Sequence, residues 1–124
     1  MGKYFIRTQE NGIYFELTAA NQQTILVGSV YASKGTCLKA VDSVRRIASA
    51  AHIEDQTLKT VEPRPNPKFE LYREKRRYYY RLRARNGIVL AEGGGFSSKE
   101  LCLQGIESVR RNAPKSKTVE LGTG

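Results

Sequence analysis

The residues most able to do chemistry in this 124-residue sequence are tyrosines and arginines that lie close together between positions 72 and 85. Seven basic residues fall between Arg73 and Arg85 and are opposed only by Glu74. Aromatic rings stack on bases and guanidinium groups bind phosphates, so this composition is typical of a surface that binds nucleic acid. The candidate binding residues are Tyr72, Arg73, Lys75, Arg76, Arg77, Tyr79, Arg81, Arg83 and Arg85.

The net charge of the chain, +9, is unevenly distributed. Residues 1–62 hold seven Lys and Arg against six Asp and Glu, whereas residues 63–124 hold fourteen against six. This asymmetry favours a surface in the second half that faces a polyanion. Two alternatives stay open. The same residues could simply form a soluble sheet surface, or they could contact a protein partner or a second copy of the chain, since Tyr and Arg are enriched at protein interfaces.

The sequence offers little for catalysis. His52 is the single histidine, and no Ser/His/Asp set, Walker loop or zinc-ligand spacing accompanies it. We therefore predict a protein that is not an enzyme, with no catalytic residue, metal or cofactor. A third function, anion or nucleotide binding at the Gly93–Ser98 helix start, stays open because helix N-termini attract anions. A strand bulge or a close backbone approach explains the triple glycine at 93–95 better.

The apolar residues of the chain are scattered rather than grouped into a membrane span. No segment approaches the roughly 20 apolar residues that a span requires, and charged residues interrupt the N-terminal stretch. We predict a cytoplasmic protein that does not contact a membrane. Cys37 and Cys102 are predicted to be buried free thiols; a disulfide between them would require two neighbouring helices.

The sequence repeats itself after 65 residues. Residues 28–48 align without a gap on residues 93–113, and ten of these 21 positions are identical. Extending the alignment back to Lys3 gives 15 identities in 46 positions. Such a match indicates one supersecondary unit used twice.

One such unit alone would bury too little surface for comfortable stability. We therefore expect a single domain over residues 1–124 in which two repeats share one sheet and one core. Repeat one spans residues 3–61 and repeat two spans residues 68–121, joined by a stiff Pro-rich connector at 62–67.

Each repeat contains the pattern of three strands, a helix and a further extended piece. Alternating apolar residues predict strands at 4–8, 13–19 and 24–27, and at 69–73, 78–84 and 88–91. The helices are expected to begin at the N-caps Ser33 and Ser98, and extended pieces follow at 56–61 and 117–121. Apolar stripes at helical spacing are predicted to face the core: Cys37, Ala40, Val41, Val44 and Ala48, and Cys102, Gly105, Ile106, Val109 and Ala113. Strand alternation puts Tyr72, Tyr79, Arg81 and Arg83 on the sheet face opposite the helices.

Repeat two also contains a series of short motifs at fixed spacing. They are Asn86-Gly87, Gly95-Phe96-Ser97-Ser98-Lys99, Cys102 and Gly105-Ile106-Glu107-Ser108-Val109-Arg110-Arg111-Asn112-Ala113. This series resembles the YegP-like proteins, a small bacterial and archaeal group of otherwise unknown function, and the resemblance covers nearly the whole chain. Repeat one departs from the motif at Asn21-Gln22, Ala40-Val41 and Ile47.

The resemblance implies an α+β fold in which two tandem β-β-β-α-β repeats share one antiparallel sheet, with both helices on one face. It also implies that the strand after each helix is exchanged between the repeats. It supplies no catalytic residue. We therefore predict a non-enzymatic module that binds nucleic acid or another polyanion through the hairpin of repeat two. Changing Arg81 and Arg83 to glutamate is expected to abolish this binding and to leave the fold intact.

Overall fold

The computed structural model describes residues 2–121, which contain two copies of a β-β-β-α-β unit. The elements of repeat one are β1 (Lys3–Gln9), β2 (Gly12–Thr18), β3 (Thr24–Gly28), α1 (Lys34–Ile47) and β4 (His52–Asp55). Those of repeat two are β5 (Lys68–Glu74), β6 (Arg77–Arg83), β7 (Val89–Phe96), α2 (Lys99–Asn112) and β8 (Lys117–Glu120). A short 3-10 turn, Ala48–Ala50, joins α1 to β4.

Both helices begin at the predicted N-caps. The Ser33 hydroxyl accepts a hydrogen bond from the Thr36 N–H at 3.2 Å, and the Ser98 hydroxyl accepts one from the Leu101 N–H at 3.2 Å. Each cap satisfies one of the backbone donors that a helix start leaves without an intrahelical partner. The two caps fix equivalent helix starts 65 residues apart.

All eight strands form one sheet in the order β4-β5-β6-β7-β3-β2-β1-β8. The repeats meet at its centre, where β3 runs antiparallel to β7 and Val27 lies opposite Glu92. β4 of repeat one pairs with β5, and β8 of repeat two pairs with β1. The shared sheet and the strand exchange are therefore confirmed.

The two outermost pairs differ from the expected antiparallel arrangement. β4 runs parallel to β5 and β8 runs parallel to β1, whereas the six inner strands are antiparallel, so the sheet is mixed. Each outer strand follows a helix that crosses one face of the sheet. Such a crossover is the connection that lets a chain add a strand in the parallel direction.

The strand after α1 lies earlier in the chain than the sequence pattern indicated. The prediction of a strand at 56–61 was wrong, because β4 is His52–Asp55 and residues 56–60 form turns and bends. The Thr57 N–H donates to Asp55 Oδ1 at 2.9 Å, which ends the strand. The 65-residue repeat contained the correct answer, since β8 (Lys117–Glu120) shifted back by 65 is β4.

The third strand of repeat two continues through the glycines that were expected to end it. β7 runs to Phe96, and its pairing with β6 shifts register between Tyr78 and Tyr79. Gly94 has a φ of 127°, and a Cβ there would lie 2.5 Å from the Tyr79 Cα. The bulge and close backbone approach are confirmed. Because these glycines belong to the sheet, they do not form a loop around an anion, and the basis for a site at 93–98 is removed.

One hydrophobic core lies between the sheet and the two helices. Every residue of the two predicted helical stripes is buried. The largest buried side chains from the sheet are aromatic: Tyr4, Phe15, Phe69 and Tyr80. Both cysteines are buried free thiols, and burial, with a smaller contribution from the charge of Asp55, raises the pKa of Cys102 to about 11.

Each exchanged strand is held by the helix of the opposite repeat. Lys99 Nζ in α2 lies 2.7 Å from Asp55 Oδ2 at the end of β4, and Lys34 Nζ in α1 lies 2.7 Å from Glu120 Oε2 at the end of β8. The two pairs occupy equivalent positions. The Ser-Lys motif of each repeat therefore anchors a strand that the other repeat needs.

Two arginines make a second set of equivalent contacts. Arg45 Nη2 donates to the Ser116 carbonyl at 2.9 Å just before β8, and Arg110 donates to the Ala51 carbonyl just before β4. Each guanidinium also lies near an aromatic ring of the core. These motif residues thus hold the fold together across the two repeats.

Candidate nucleic-acid interface

The nine predicted binding residues lie on the β5–β6 hairpin or at its ends. Tyr72 lies directly opposite Tyr79, and the intervening Leu71 and Tyr80 are buried in the core. Since successive side chains of a strand alternate between faces, four of the nine lie on the side away from the helices, which we call the outer face. They are Tyr72, Tyr79, Arg81 and Arg83.

The turn of this hairpin, Glu74–Arg77, carries the most accessible charge, and we call it the tip. Lys75 and Arg76 are its two central residues, with φ of 49° and 68°. Together with the neighbouring Arg73, the tip contributes four exposed cationic side chains. Within residues 2–121 none of these four takes part in a salt bridge.

Arg85 lies apart from the tip, at the opposite end of the hairpin and in the turn that leads to β7. A strand rises about 3.3 Å per residue, so the stretch from Arg77 to Arg85 spans on the order of 25 Å. The structure therefore brings Arg73, Lys75, Arg76 and Arg77 together and leaves Arg85 outside that cluster.

The two outer-face arginines are bound to a buried carboxylate. Arg81 Nε lies 2.5 Å from Glu70 Oε1, and Arg83 Nε lies 2.6 Å from the same oxygen. Glu70 is only 5% exposed. Two guanidinium groups that neutralise a buried acid are not free to bind phosphates, so the arginines of the outer face and of the tip have different roles.

A second buried acid extends this network. Glu54 in β4 accepts from Lys68 Nζ at 2.8 Å and from the Arg64 backbone N–H at 2.8 Å. The Gln56 amide joins the two acids, donating to Glu54 Oε2 at 2.7 Å and to Glu70 Oε2 at 3.0 Å. Polar groups of β4, β5 and β6 are thereby linked on one surface.

Neither acid was identified from the sequence as part of the site. The alternation of β5 does put Glu70 on the same face as Tyr72, so the signal was available for one of them. Glu54 gave no such signal, because the strand that carries it was predicted in the wrong place.

The electrostatics of both acids favour their charged forms. Hydrogen bonds from Lys68, Gln56 and the Arg64 backbone lower the pKa of Glu54 to about 2. Burial alone would raise the pKa of Glu70, but hydrogen bonds from Arg81 and Arg83 outweigh it and the pKa is lowered. The network is therefore fully ionised at neutral pH.

The tyrosines of the outer face pack against protein groups. The rings of Tyr72 and Tyr79 stack with centroids 5.6 Å apart and planes at 19°, and the Arg81 guanidinium lies 4.5 Å from the Tyr72 centroid. Stacking on nucleic-acid bases would compete with these contacts. The tip is thus the part of the hairpin best placed to meet an external anion.

A family model, "Domain of unknown function (DUF1508)", matches this chain twice, over residues 9–55 and 74–120. The two matches are displaced by the same 65 residues that separate the repeats. The chain belongs to the DUF1508 family. The tandem repeat predicted from the sequence is therefore confirmed.

Proteins named UPF0339 are its curated relatives. The UPF0339 protein YegP of Yersinia pestis is 32% identical over 114 residues, which cover 90% of this chain and 88% of that protein. A UPF0339 protein of Treponema denticola is 51% identical over 55 residues, which cover 44% of this chain and 95% of that protein. A protein little longer than one repeat is thus a relative too, and the predicted YegP-like resemblance is confirmed.

Two solution NMR structures share the fold. The structure of yegP from E. coli, described as a protein of unknown function, superposes with a TM-score of 0.79 at 20% identity and covers 99% of this chain and 95% of its own. A UPF0339 protein from Shewanella oneidensis superposes with a TM-score of 0.79 at 21% identity, covering 97% and 91%. At these identities the likeness establishes the fold alone.

Two further observations concern the described residues, 2–121. No helix among them is long and apolar enough to cross a membrane. No group of three or more His, Cys, Asp or Glu side chains among them is arranged to hold a metal ion. His52, the single histidine, lies exposed at the start of β4.

Proposed function

We propose that this protein is a non-enzymatic module that binds nucleic acid or another polyanion, and that the hairpin tip makes the phosphate contacts. The proposal is narrower than the sequence-based prediction, because Arg81 and Arg83 become supporting residues that hold the hairpin through Glu70. The ligand-contacting residues are Arg73, Lys75, Arg76 and Arg77.

The observation that carries the proposal is the backbone of the tip. Lys75 and Arg76 both have positive φ, a conformation that costs a non-glycine residue of the order of 1 kcal/mol or more. A hairpin selected for stability alone would have Asn-Gly at these two positions. A strained turn that displays two cations is most simply explained by a use for those cations.

The charge geometry of the tip fits a polyphosphate backbone. Four exposed cations within five consecutive residues are opposed by the single carboxylate of Glu74. Counterion release then predicts that the affinity falls with salt with a log–log slope of about −3 to −4, if each cation meets one phosphate. A contact made mainly by hydrogen bonds or apolar groups would show a much smaller slope.

The test variant is Lys75→Asn with Arg76→Gly, which removes two charges and installs the turn that this geometry favours. We expect the variant to be as stable as the parent or more stable, to bind single- and double-stranded oligonucleotides roughly tenfold more weakly or worse, and to lose about 2 from the salt slope. Fluorescence anisotropy over a salt series measures the binding, and thermal unfolding measures the stability.

The matched control is Lys39→Gln with Lys115→Gln, which removes two exposed cations outside the hairpin. Equal weakening by the control and the tip variant would show a response to net charge alone and would contradict a site at the tip. Unchanged binding by the tip variant would also contradict it. The protein-partner alternative stays a prediction, favoured only if no oligonucleotide binds the parent at low salt.

The charge reversal Arg81→Glu with Arg83→Glu is not a suitable test of binding. It would place two further carboxylates beside Glu70, which is buried and held by those same arginines. Like charges in a buried site are strongly destabilising, so the change would perturb the fold as well as the charge. The expectation that it leaves the fold intact does not survive this geometry.

A further inference from the structure

We infer that the fold contains two equivalent binding sites for small phosphate esters, one at each junction between the repeats. The first is a cavity of about 480 Å³ between the last turn of α1 and the turn that joins β6 to β7. The second, of about 530 Å³, lies between the last turn of α2 and the turn that joins β2 to β3. Each site thus combines a helix of one repeat with a turn of the other.

The first cavity is lined mainly by groups that donate hydrogen bonds or carry positive charge. Ser43 and Arg46 come from α1, and Arg85 and Asn86 come from the β6–β7 turn. The nearest acid is Asp42, whose Oδ2 lies 3.6 Å from Arg46 Nη2. Both side chains of that pair are more than half exposed, so the pair is weak and an anionic ligand can replace it.

The turn in the first site is rigid and presents donors. The Ala84 N–H donates to the Ile88 carbonyl at 2.9 Å, and the Gly87 N–H donates to the Ala84 carbonyl at 2.9 Å. Asn86 Oδ1 accepts from the Ile88 N–H at 3.0 Å. Its acceptor end is therefore occupied within the turn, and the free polar end of the amide is the NH₂ group, which suits an anion.

The second cavity repeats this chemistry. Ser108, Arg111 and Asn21 stand at the positions equivalent to Ser43, Arg46 and Asn86, and all three residue types are the same. Ala20 replaces Arg85, but Lys115 enters the lining and restores a second cation. The pair of cations is thus retained even though it is supplied from another position.

Packing does not explain the shared residues. Arg46 and Arg111 are exposed, and neither contributes to the hydrophobic core. An asparagine suits the turn on its own account, but the turn does not require an arginine and a serine from the opposite repeat. Two equivalent cavities with the same three polar residues and a second cation indicate a common ligand.

The chemistry of the lining identifies the ligand class. Guanidinium groups bind phosphate oxygens in bidentate fashion, and hydroxyl and amide donors satisfy the remaining oxygens. A cavity of this volume accommodates a small organic molecule such as a sugar phosphate. The first site is also separate from the polyanion surface, since the length of β6 lies between Arg85 and the tip.

The experiment is an NMR titration of the ¹⁵N-labelled full chain with inorganic phosphate and with ribose 5-phosphate, at ionic strength held constant with chloride. We expect saturable shifts of backbone signals in two groups, residues 43–47 with 85–87 and residues 108–112 with 20–22. Shifts that chloride reproduces, or that are confined to residues 73–77, would overturn the proposal.

The variant Arg46→Gln with Arg85→Gln separates the two sites. It should weaken phosphate binding at the first group roughly tenfold or more and leave the second group unchanged, because the second site keeps Arg111 and Lys115. The control, Lys39→Gln with Lys59→Gln, removes two exposed cations elsewhere and should leave both groups unchanged. Equal weakening of both groups by the test variant, or any matching loss in the control, would count against specific sites.

An oligonucleotide without terminal phosphates distinguishes the two surfaces. It should shift residues 73–77 and leave both cavity groups in place. If it shifts the cavity signals with the same affinity, both surfaces belong to nucleic-acid binding and the separate phosphate-ester sites are refuted. Failure of the tip to bind the oligonucleotide, with intact phosphate titration at the cavities, would refute only the proposed polyanion function.

Discussion

The outer faces of the two halves of the sheet differ far more than their inner faces. Inside, the 65-residue repeat matches aromatic with aromatic and leucine with leucine: Tyr4 with Phe69, Phe15 with Tyr80, and Leu17 with Leu82. Outside, the buried acids Glu70 and Glu54 correspond to Phe5 and Val119. A core that both repeats fill together constrains the inward residues, while the outward residues were free to diverge.

The polar contacts of the two outer faces show the same contrast. In repeat one, the ion pair between Arg7 Nε and Glu16 Oε1, at 2.9 Å, lies at a partly exposed site. In repeat two, the equivalent of Glu16 is Arg81, which is bound to the buried Glu70. Charge in repeat two is therefore part of the architecture of the sheet, and the excess cations lie beyond it at the tip.

The largest difference between the halves is expected at the bulge of β7. Gly94→Ala should lower the free energy of unfolding by about 3 kcal/mol or more, because the φ of 127° is strained for alanine and the new Cβ would meet the Tyr79 backbone. The matched change Ser29→Ala, at the equivalent exposed position of repeat one, removes only a hydrogen bond to the Val89 carbonyl and should cost about 0.5 kcal/mol. Urea unfolding of both variants checks the comparison, which fails if their losses are alike.

The buried acids should give the next largest effect. Glu70→Gln should cost about 2 kcal/mol at pH 7, because two partly buried guanidinium groups lose a shared carboxylate. Glu16→Gln, the outer-face acid of repeat one, should cost about 0.5 kcal/mol at its more exposed site.

The pH dependence gives this prediction its sign. The folded-state pKa of Glu70 is lowered from an unfolded value of about 4.3, so its stabilisation is complete above that pH and is lost as the pH falls through the folded value. The deficit of Glu70→Gln against the parent should therefore shrink in acid. A deficit that stays constant from pH 7 to pH 2 would show that shape rather than charge is responsible.

The two lysines that hold the exchanged strands should differ by a smaller amount. The Lys99–Asp55 pair is 34% and 25% exposed, against 52% and 53% for Lys34–Glu120, so water screens the second pair more strongly. Lys99→Ala is expected to cost about 1 kcal/mol and Lys34→Ala at most about 0.5 kcal/mol. Thermal unfolding of the two variants at low and high salt provides the measurement, and a larger loss for Lys34→Ala would reverse the expected order.

The smallest effect is expected at the turns after β2 and β6. Gln22 has a φ of 67° where its equivalent Gly87 has 86°, so repeat one keeps the left-handed backbone without the glycine. Gln22→Gly should stabilise the protein by about 0.5–1 kcal/mol, and Gly87→Gln should destabilise it by a similar amount. Two-state unfolding curves test both, and a destabilising Gln22→Gly would show that the side chain of Gln22 makes a contact worth more than the strain.

Internal repetition is what made the fold predictable from the sequence. The caps at Ser33 and Ser98 and the helical stripes were read correctly because each appears twice at the same spacing. The strand β4 was misplaced because residues 56–61 were judged by their own pattern and not by the repeat, and its parallel pairing depends on a crossover that local pattern does not specify.

The candidate site was predictable only in part. Strand alternation correctly put Tyr72 and Arg81 on the outer face, since the period of two is a local property. It did not indicate that Arg81 and Arg83 converge on Glu70, or that Lys75 and Arg76 adopt positive φ. Those facts depend on the pairing register and on a turn of defined length, which link residues across the hairpin.

The exchange of β4 and β8 has a consequence for the connector at residues 62–67. The two segments of chain on either side of it meet along three ladders, β3 with β7, β4 with β5, and β1 with β8. The peptide link between them therefore adds proximity but no pairing of its own. Cleaving it should leave two interlocked polypeptides, and the halves made as separate chains should copurify.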